Sequence, residues 1–318
     1  MILIVSFAGN EHVEEVRRHL TAPHTVLDMA WFPTRLGLAS WAGDGGSRIQ
    51  LRDPAGETID LADVGAVWYR RIRPFEPAAE LTDPTSRLFA WSESSEALLG
   101  VWYTLSCFWM NPPLGDEAAQ RKVHQLRIAE AVGLSVPETL VTNEPERARE
   151  FVERHGPGQV VRKAFRILEE APRETALVNR SDLALIDSVR YAPVIFQRFV
   201  PAVEDLRVTV VDGEVLAARI RTDPGHGVDY RAGLETAAVE ATSLPDEVCE
   251  RLLALMSRLG ISFGAIDLRL TPEGEYVFLE VNPAGEYLFV SRRTGLPIPE
   301  AIAAALQRHD AEHQATRA

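Results

Sequence analysis

Residues 263–289, FGAIDLRLTPEGEYVFLEVNPAGEYLF, constrain the fold of this chain more than any other stretch, because they have the pattern of two β-strands joined by a tight turn. With Glu273 and Gly274 as a two-residue turn, Leu268 lies opposite Leu279 and one face of the hairpin is wholly aliphatic. Since side chains alternate across a strand, the other face carries the polar residues. The sequence therefore predicts a hairpin with one core face and one functional face.

The functional face of this hairpin brings three oxygen-bearing side chains together. Asp267 lies directly opposite Glu280, Asn282 follows two residues later, and Phe278 shares their face. Two neighbouring carboxylates repel each other, so a half-buried face that carries both normally needs a cation. Oxygen ligands favour magnesium, which keeps several waters and is completed by substrate phosphates. We predict a magnesium and ATP site; a solvated hairpin face with ordinary acids is the alternative.

Composition limits the kinds of partner. The formal net charge of −13 gives no general attraction for nucleic acid or anionic membranes, so an anionic ligand needs a local basic cluster. Cys107 and Cys249 are too few and too far apart for a disulfide framework, which favours a reducing cytoplasm. The apolar run at the N-terminus is too short for a signal sequence, and no later segment suits a membrane span. We expect a cytoplasmic protein that binds neither nucleic acid nor membranes.

The first third of the chain has the pattern of a small wound α/β domain. Strands are predicted at residues 1–7 and 24–28 around a helix at 11–20, with further strands at 48–52 and 66–70. The AGNEH sequence after the first strand lacks the spacing of a glycine-rich phosphate loop. This domain is therefore not predicted to bind a dinucleotide.

Two further patterns bear on the boundaries and on the nucleotide. Residues 86–110 are strongly apolar and aromatic near helical spacing, which core packing explains, and the prolines after Asn111 must break that helix. In the predicted strand at 158–165, Lys163 shares a face with apolar neighbours. Because burying an unpaired ammonium is costly, a phosphate partner is expected for Lys163.

The residues of the hairpin resemble a known family. The D-x12-E-x-N spacing is similar to the metal-binding strands of the ATP-grasp ligases, and NPAGEYL after Glu280 resembles the graspetide synthetases, the microviridin-type maturases of ribosomal peptides. Other segments that resemble this family are WYRR at 68–71, KVHQ at 122–125, GLSVPETLVTN at 133–143, PVIFQRFV at 193–200, DLR at 205–207 and DYR at 229–231.

The resemblance implies an α/β protein with an ATP-grasp fold preceded by a small pre-ATP-grasp domain. The implied domains are 1–112 for the pre-ATP-grasp domain, 113–193 for the small lid subdomain, 194–310 for the C-terminal subdomain with the metal site, and 311–318 for a frayed polar tail. The lid itself is expected at 166–179, where this chain lacks the glycine that many ATP-grasp lids carry.

The resemblance also implies roles for individual residues. Those for binding the nucleotide are Lys122, Lys163, Gln197, Arg198, Phe199, Val200 and Asp205, with the lysines on the phosphates and residues 198–200 on the adenine. Those for holding the acyl phosphate are Arg207, Arg219 and Arg231, and those for metal are Asp267, Glu280 and Asn282. Arg221, Arg70 and Arg71 are further candidates for an acidic peptide, although the residues alone favour an edge strand on which Arg70 and Arg71 face water. Ala202 stands where many relatives have a lysine.

The implied activity is that of a peptide maturase that uses ATP and two magnesium ions. It would activate Asp or Glu side chains of an acidic precursor peptide, with leader and core segments, as acyl phosphates that Ser, Thr or Lys then attacks to close ester or amide cross-links. A homodimer is expected. One alternative is a ligase that joins a free amino acid to a carboxylate, and another is a catalytically silent nucleotide-binding or peptide-binding module.

Overall fold

The protein is described by a computed structural model that covers residues 1–44, 46–165, 175–223 and 227–317. Its first part forms an open parallel sheet of order β2-β1-β6-β7 and a separate antiparallel sheet of order β3-β4-β5. The elements of this part are β1 (Ile2–Val5), α1 (Glu11–Arg17), β2 (His24–Leu27), β3 (Gly37–Trp41), β4 (Arg48–Arg52), β5 (Thr58–Asp60), β6 (Ala66–Tyr69), α2 (Pro84–Thr104) and β7 (Phe108–Met110). The predicted wound α/β arrangement is confirmed.

The second part is a smaller lobe around an antiparallel sheet of order β10-β9-β11-β8. Its elements are α3 (Pro113–Ala119), α4 (Lys122–Ala131), β8 (Thr139–Thr142), α5 (Pro145–His155), β9 (Val160–Lys163), β10 (Ala176–Leu177), a 3-10 helix at Asp182–Tyr191 and β11 (Val194–Arg198). Residues 166–174 of the expected lid lie outside the described residues.

The third part is built on a five-stranded antiparallel sheet of order β14-β13-β12-β15-β16. Its elements are β12 (Glu204–Val211), β13 (Glu214–Arg221), a 3-10 helix at Tyr230–Gly233, β14 (Ala238–Thr242), α6 (Asp246–Leu259), β15 (Phe263–Leu270), β16 (Tyr276–Asn282), α7 (Leu288–Thr294) and α8 (Ile298–Arg317). One face of this sheet packs on α6 through an aliphatic cluster. The opposite face is left for the polar residues.

In the hairpin of β15 and β16, Asp267 pairs with Glu280 as predicted, but the turn and the strand register differ from the prediction. The turn contains three residues rather than two, because the Thr271 amide bonds to the Glu275 carbonyl at 2.9 Å and Gly274 has φ 85°. This shifts the register by one residue, so that Leu268 pairs with Phe278. A β-bulge at Leu279 then shifts the register back.

The bulge decides which side chains reach the functional face. Asp267 still pairs with Glu280, as predicted, because the longer turn and the bulge cancel. Phe278 is fully buried in the aliphatic cluster behind the sheet, so its predicted place beside the carboxylates is wrong. Leu279 takes that place and lines the cavity on the functional face.

The C-terminal helix α8 is part of the core of the first sheet. Ile302 and Leu306 pack in one cluster with Ile2 and Ile4 of β1, and Gln314 donates to the Asp63 carbonyl at 2.9 Å. The prediction of a frayed tail is therefore wrong, because the helix continues to Arg317 and makes tertiary contacts along its last turns. No helix in the described part of the chain combines the length and hydropathy that a membrane span requires.

The helix α2 contradicts the prediction that core packing explains its apolar residues. Leu98, Val101 and Trp102 are buried against the first sheet, whereas Leu88 and Phe89 are each 66% exposed. The apolar residues are too numerous for one helix face, so a second group of them faces outward.

We expect the positive φ of the hairpin turn to have a measurable cost when glycine is replaced. Gly274→Ala should destabilise the protein by about 1 to 2 kcal/mol, because open space surrounds the added methyl group and only backbone strain opposes it. Gly100→Ala is the matched control, since Gly100 lies within α2 with open space around it and alanine should stabilise the helix by roughly 0.5–1 kcal/mol. Urea unfolding measures both. Equal effects of the same sign would contradict the turn assignment.

Candidate active site

Three charged side chains form a row across the middle of the five-stranded sheet. In the strand register, Arg207 of β12 pairs with Asp267 of β15, which pairs with Glu280 of β16. Directly paired residues project from the same face of a sheet with their Cβ atoms about 5 Å apart. Strand alternation therefore assembles an arginine and two carboxylates on the face opposite the aliphatic cluster.

Asp267 is held from two sides through the same oxygen. Its Oδ1 accepts hydrogen bonds from the Arg207 guanidinium at 2.9 Å and from the Tyr230 hydroxyl at 3.1 Å. Arg207 also donates to the Glu286 carbonyl at 3.0 Å. Burial and the adjacent Asp267 carboxylate raise the pKa of Tyr230, which keeps its hydroxyl a hydrogen-bond donor. Arg207 thus has a partner that the prediction of a free acyl-phosphate ligand did not include.

Glu280 is held by Lys122. The Lys122 ammonium donates to Glu280 Oε2, which places Lys122 beside the carboxylates. Burial alone would raise the pKa of Glu280, but the charges of Lys122 and then Lys163 outweigh it and hold this pKa well below its usual range. Glu280 is therefore ionised at neutral pH.

The remaining oxygens of the two carboxylates suit a metal ion. Asp267 Oδ2 and Glu280 Oε1 form no hydrogen bond within residues 1–44, 46–165, 175–223 and 227–317, and both residues line one cavity. Asn282 lies at the end of β16, where its Oδ1 accepts from the Ala284 amide at 3.0 Å and keeps a second lone pair. Carboxylate and amide oxygens are ligands that fit magnesium.

Lys163 lies across the cavity from this row, at the end of β9. It shares a face of the small sheet with Val161, as predicted, because Val161 pairs with Gln197 and Lys163 with Ile195. Burial lowers the pKa of Lys163 to about 8, and Glu280 only partly opposes this effect. Lys163 forms no ion pair with any residue that the structure describes, so its ammonium is open to an anionic ligand.

The segment that links the two sheets lines the same cavity. The Arg198 amide donates to the Glu138 carbonyl and the Phe199 amide to the Gln159 carbonyl, both at 2.8 Å. These two amides are therefore not free to read an adenine edge. The Val200 amide makes no hydrogen bond within the described residues, which leaves it as the donor of this segment. Gln197 donates from its Nε2 to Thr139 Oγ1 at 2.9 Å.

Arg269 belongs to this site and was missed by sequence reasoning. It follows Asp267 by two residues on the same face of β15, is 4% exposed, and donates to Asp205 Oδ1 at 3.0 Å. Asp205, predicted to contact the nucleotide, is thus paired with an arginine. Burial raises the pKa of Asp205, and Arg269 opposes this shift. The two-residue alternation from Asp267 was the signal that could have found Arg269.

The predicted arginines lie in different places. Arg231 projects into the cavity and forms an ion pair with Asp229 at 2.6 Å. Arg219 pairs in register with Leu206 of the aliphatic face, so it lies on the other side of the sheet from Arg207 and binds Glu240 at 2.8 Å. The sheet therefore does not bring Arg219, or Arg221 two residues later, to the carboxylates.

A wide cleft of about 1070 Å³ lies between Glu280 and the first domain. Arg71 lines it and binds Glu286 at 3.2 Å. Arg70 is fully buried instead, where it donates to the Gly285 carbonyl at 3.1 Å and its guanidinium lies 5.2 Å from the centre of the Tyr287 ring. Arg70 therefore joins the first domain to the loop after β16, and only Arg71 remains available to a ligand.

Two family models match separate parts of this chain. Residues 1–116 match the MvdD pre-ATP grasp domain, and residues 124–282 match the ATP-grasp domain of prokaryotic glutathione synthetase. The second match includes every residue of the charged row. The chain belongs to the ATP-grasp family. Ligases of this family use ATP and magnesium, in agreement with the oxygen donors of this ATP-grasp site.

Solved structures agree over nearly the whole length of this ATP-grasp protein. The macrocyclase MdnB from Microcystis aeruginosa MRC is 35% identical with a TM-score of 0.80, covering 96% of this chain and 98% of MdnB. A RiPP-associated ATP-grasp ligase of Chryseobacterium gregarium, in complex with ADP and a leader and core peptide, is 27% identical with a TM-score of 0.87, covering 96% of each chain. The predicted fold and the resemblance to graspetide synthetases are confirmed.

A curated relative is matched over a shorter length. The glutathione synthetase of Thermosynechococcus vestitus is 26% identical over 218 residues, which are 65% of this chain and 65% of that synthetase. The chain thus spans less than two thirds of that relative. This match supports the nucleotide site and leaves the substrate to be proposed.

The pKa of Lys163 predicts how ATP affinity depends on pH. A triphosphate favours the ammonium form, so above about pH 8 binding must take up a proton and affinity should fall by up to about tenfold per pH unit. Lys163→Met should bind ATP more weakly and lose this dependence. Calorimetric titrations at several pH values measure both effects. Lys163→Arg is the control, since a guanidinium stays charged but places its charge differently and should not restore full affinity. Unchanged affinity in the methionine variant would contradict the assignment.

Proposed function

We propose that this protein uses ATP and two magnesium ions to activate Asp or Glu side chains of a ribosomally made precursor peptide, and then joins them to Ser or Thr hydroxyls or Lys amines of the same peptide. The observation that carries the proposal is the position of the row formed by Arg207, Asp267 and Glu280. Asp267 and Glu280 of this row line the same cavity as residues 198–200, and Glu280 also lines the wide cleft. The terminal phosphate of ATP would therefore face the cleft.

The chemistry needs no nucleophile from the protein. A peptide carboxylate oxygen attacks the γ-phosphorus of ATP, the bond to ADP breaks, and an acyl phosphate forms. The hydroxyl or amine then attacks the carbonyl carbon, inorganic phosphate leaves, and the nucleophile loses a proton. Bound magnesium ions supply charge neutralisation on the phosphates. The residues proposed to hold them are Asp267, Glu280 and Asn282.

The lysines and arginines of the site would bind the other charges. Lys163 and Lys122 are proposed to bind phosphate oxygens, which requires Lys122 to exchange Glu280 for the nucleotide. Arg231 is proposed to bind the acyl phosphate. Arg207 keeps its place beside Asp267 and is proposed to fix that carboxylate while it binds metal. Guanidinium groups suit carboxylate and phosphate oxygens because paired N–H donors match them.

The cleft favours a peptide over a free amino acid. Its volume of about 1070 Å³ exceeds what one amino acid fills, and it opens between two domains. Three arginines on its wall are each paired with an acid: Arg71 with Glu286, Arg121 with Glu117 and Arg231 with Asp229. Because the whole chain carries a net charge of −13, an acidic peptide would be bound by exchange with these local partners.

The ligation of a free amino acid is the second candidate. It is favoured by the match of residues 124–282 with the ATP-grasp domain of prokaryotic glutathione synthetase. Incubation with ATP, magnesium and the peptide encoded beside the gene separates the two candidates by mass spectrometry. Cross-linking removes the mass of one water per bond, whereas amino-acid addition increases the mass.

A cytoplasmic homodimer and domain boundaries at 112 and 193 belong to the same proposal.

We expect both metal-ligand carboxylates to be essential. Asp267→Asn or Glu280→Gln should abolish turnover while the fold is kept, because each removes a charge from the proposed metal site without changing side-chain size. The loss should be several kcal/mol of transition-state stabilisation. ADP release in the presence of peptide is the measurement, with circular dichroism as the control for folding. Near-normal rates in both variants would remove the metal assignment.

The two faces of the sheet predict different outcomes for two arginines. Arg231→Ala should impair peptide modification by roughly 1.5–3 kcal/mol per lost charged hydrogen bond, with little effect on ATP affinity. Arg219→Ala should leave both nearly unchanged, because Arg219 lies on the opposite face and binds Glu240. Water loss by mass spectrometry and ATP titration are measured in parallel. If the two variants lose modification equally, the face assignment is wrong.

A further inference from the structure

Arg269 joins three separate segments of the site. Besides its bond to Asp205, its guanidinium donates to the Val200 carbonyl at 2.7 Å and to the carbonyls of Gly227 at 2.8 Å and Val228 at 3.0 Å. Hydrogen bonds from a charged group are roughly twice as strong as neutral ones. A buried arginine that donates four of them therefore holds its partner segments in fixed positions, and we call Arg269 the anchor of these segments. It connects the segment before β12 with the segment before the 3-10 helix at Tyr230–Gly233.

On the side of residues 198–200, the Arg269 guanidinium packs against the aromatic ring of Phe199. The Arg269 guanidinium carbon lies 5.4 Å from the centre of the Phe199 ring. Residues 198–200 are the segment proposed to bind adenine. Val200 supplies the carbonyl that Arg269 binds, and its amide has no hydrogen-bond partner among the described residues. A base bound there would restrain Phe199 and Val200 together, and with them the plane of the guanidinium.

The other side of the anchor leads to the groups that face the cleft. Gly227 and Val228 are followed by Asp229 and Arg231, which form an ion pair on the cleft wall. Tyr230 between them donates to Asp267, a proposed metal ligand. The position of this segment therefore sets both the arginine that meets the peptide and one hydrogen bond to the metal site.

We propose that Arg269 is a positioning residue that couples nucleotide binding at residues 198–200 to the ordering of residues 227–233. The inference rests on the proposed nucleotide site and goes beyond it by assigning the connection to the peptide-facing segment. Because a guanidinium is planar, fixing its donor to Val200 also fixes the direction of the two donors to Gly227 and Val228. Two sites are coupled only if contacts differ between the nucleotide-free and nucleotide-bound states. Here the contacts that would differ are the hydrogen bonds of Arg269 to Val200, Gly227 and Val228.

Lysine cannot replace arginine in this role, and the chain offers a matched control. Arg269→Lys keeps a positive charge near Asp205, but a compact ammonium cannot reach three directions with planar donors. Arg293 anchors the far end of the same loop, donating to the carbonyls of Leu234 at 2.7 Å and Ala237 at 3.3 Å. Arg293→Lys thus weakens bonds of the same kind without touching residues 198–205 among its described partners.

Hydrogen exchange with ADP and magnesium as the only ligands tests the coupling. The amides of Arg231 and Ala232, which bond within the loop, should exchange at least about tenfold more slowly with ADP in the native protein, a change equal to about 1.4 kcal/mol. In Arg269→Lys, saturating ADP should slow the exchange of these two amides by less than about twofold. Arg293→Lys should raise exchange without ADP but keep the slowing by ADP. Absence of slowing in the native protein, or its persistence in Arg269→Lys, overturns the proposal.

The outcomes are separable from failure of the proposed function. ADP affinity is titrated in the same samples, so loss of nucleotide binding is distinguished from loss of coupling, and no peptide is needed. If Arg269→Lys does not fold, Asp205→Asn removes the charged partner of the same guanidinium with an isosteric amide, and it should also reduce the slowing. If Asp205→Asn retains the full slowing, the coupling is not carried by the orientation of Arg269.

Discussion

The site depends on one electrostatic constraint, which is the burial of two carboxylates on neighbouring strands. Asp267 and Glu280 repel each other, and burial penalises their charged forms. One cation pairs with each carboxylate and offsets both costs: Arg207 with Asp267, and Lys122 with Glu280. Each cation engages only one oxygen, so each carboxylate keeps a second oxygen for a metal ion. With Lys122 included, the formal charge of the row is zero before any ligand binds.

The same constraint explains why the segments around the row are tied down by hydrogen bonds to backbone carbonyls. Burying a guanidinium costs free energy, and hydrogen bonds to backbone carbonyls offset part of that cost. Arg207 reaches the Glu286 carbonyl, Arg70 the Gly285 carbonyl, and Arg269 the carbonyls of Val200 and of residues 227–228. The loops that carry the ligand-facing groups are thus positioned by buried arginines, and two of these, Arg207 and Arg269, also pair with the buried acids Asp267 and Asp205. Site and scaffold are stabilised by the same interactions.

The pairing of Asp267 with Glu280 shows how a correct prediction can rest on an incomplete argument. A two-residue turn and a regular ladder give the same pair as a three-residue turn and a bulge, because the two shifts cancel. Between the turn and the bulge they give opposite faces, which is why Phe278 is in the core and Leu279 at the cavity. Turn length and bulge are selected by packing on both faces of the sheet, and the local sequence does not encode that packing.

The sequence by itself determined the wound first domain, the hairpin, its carboxylates and the lysine at Lys163, because alternation and the cost of burying charge are local properties of a strand. Its resemblance to graspetide synthetases pointed to the family. Only the tertiary structure decided that Arg219 lies behind the sheet, that Arg70 is structural, that Arg269 anchors three segments and that α8 completes the first core. These depend on strand order and on which element covers which face. Residues distant in sequence, such as Ile2 and Leu306, decide them together, and no local pattern records their contact.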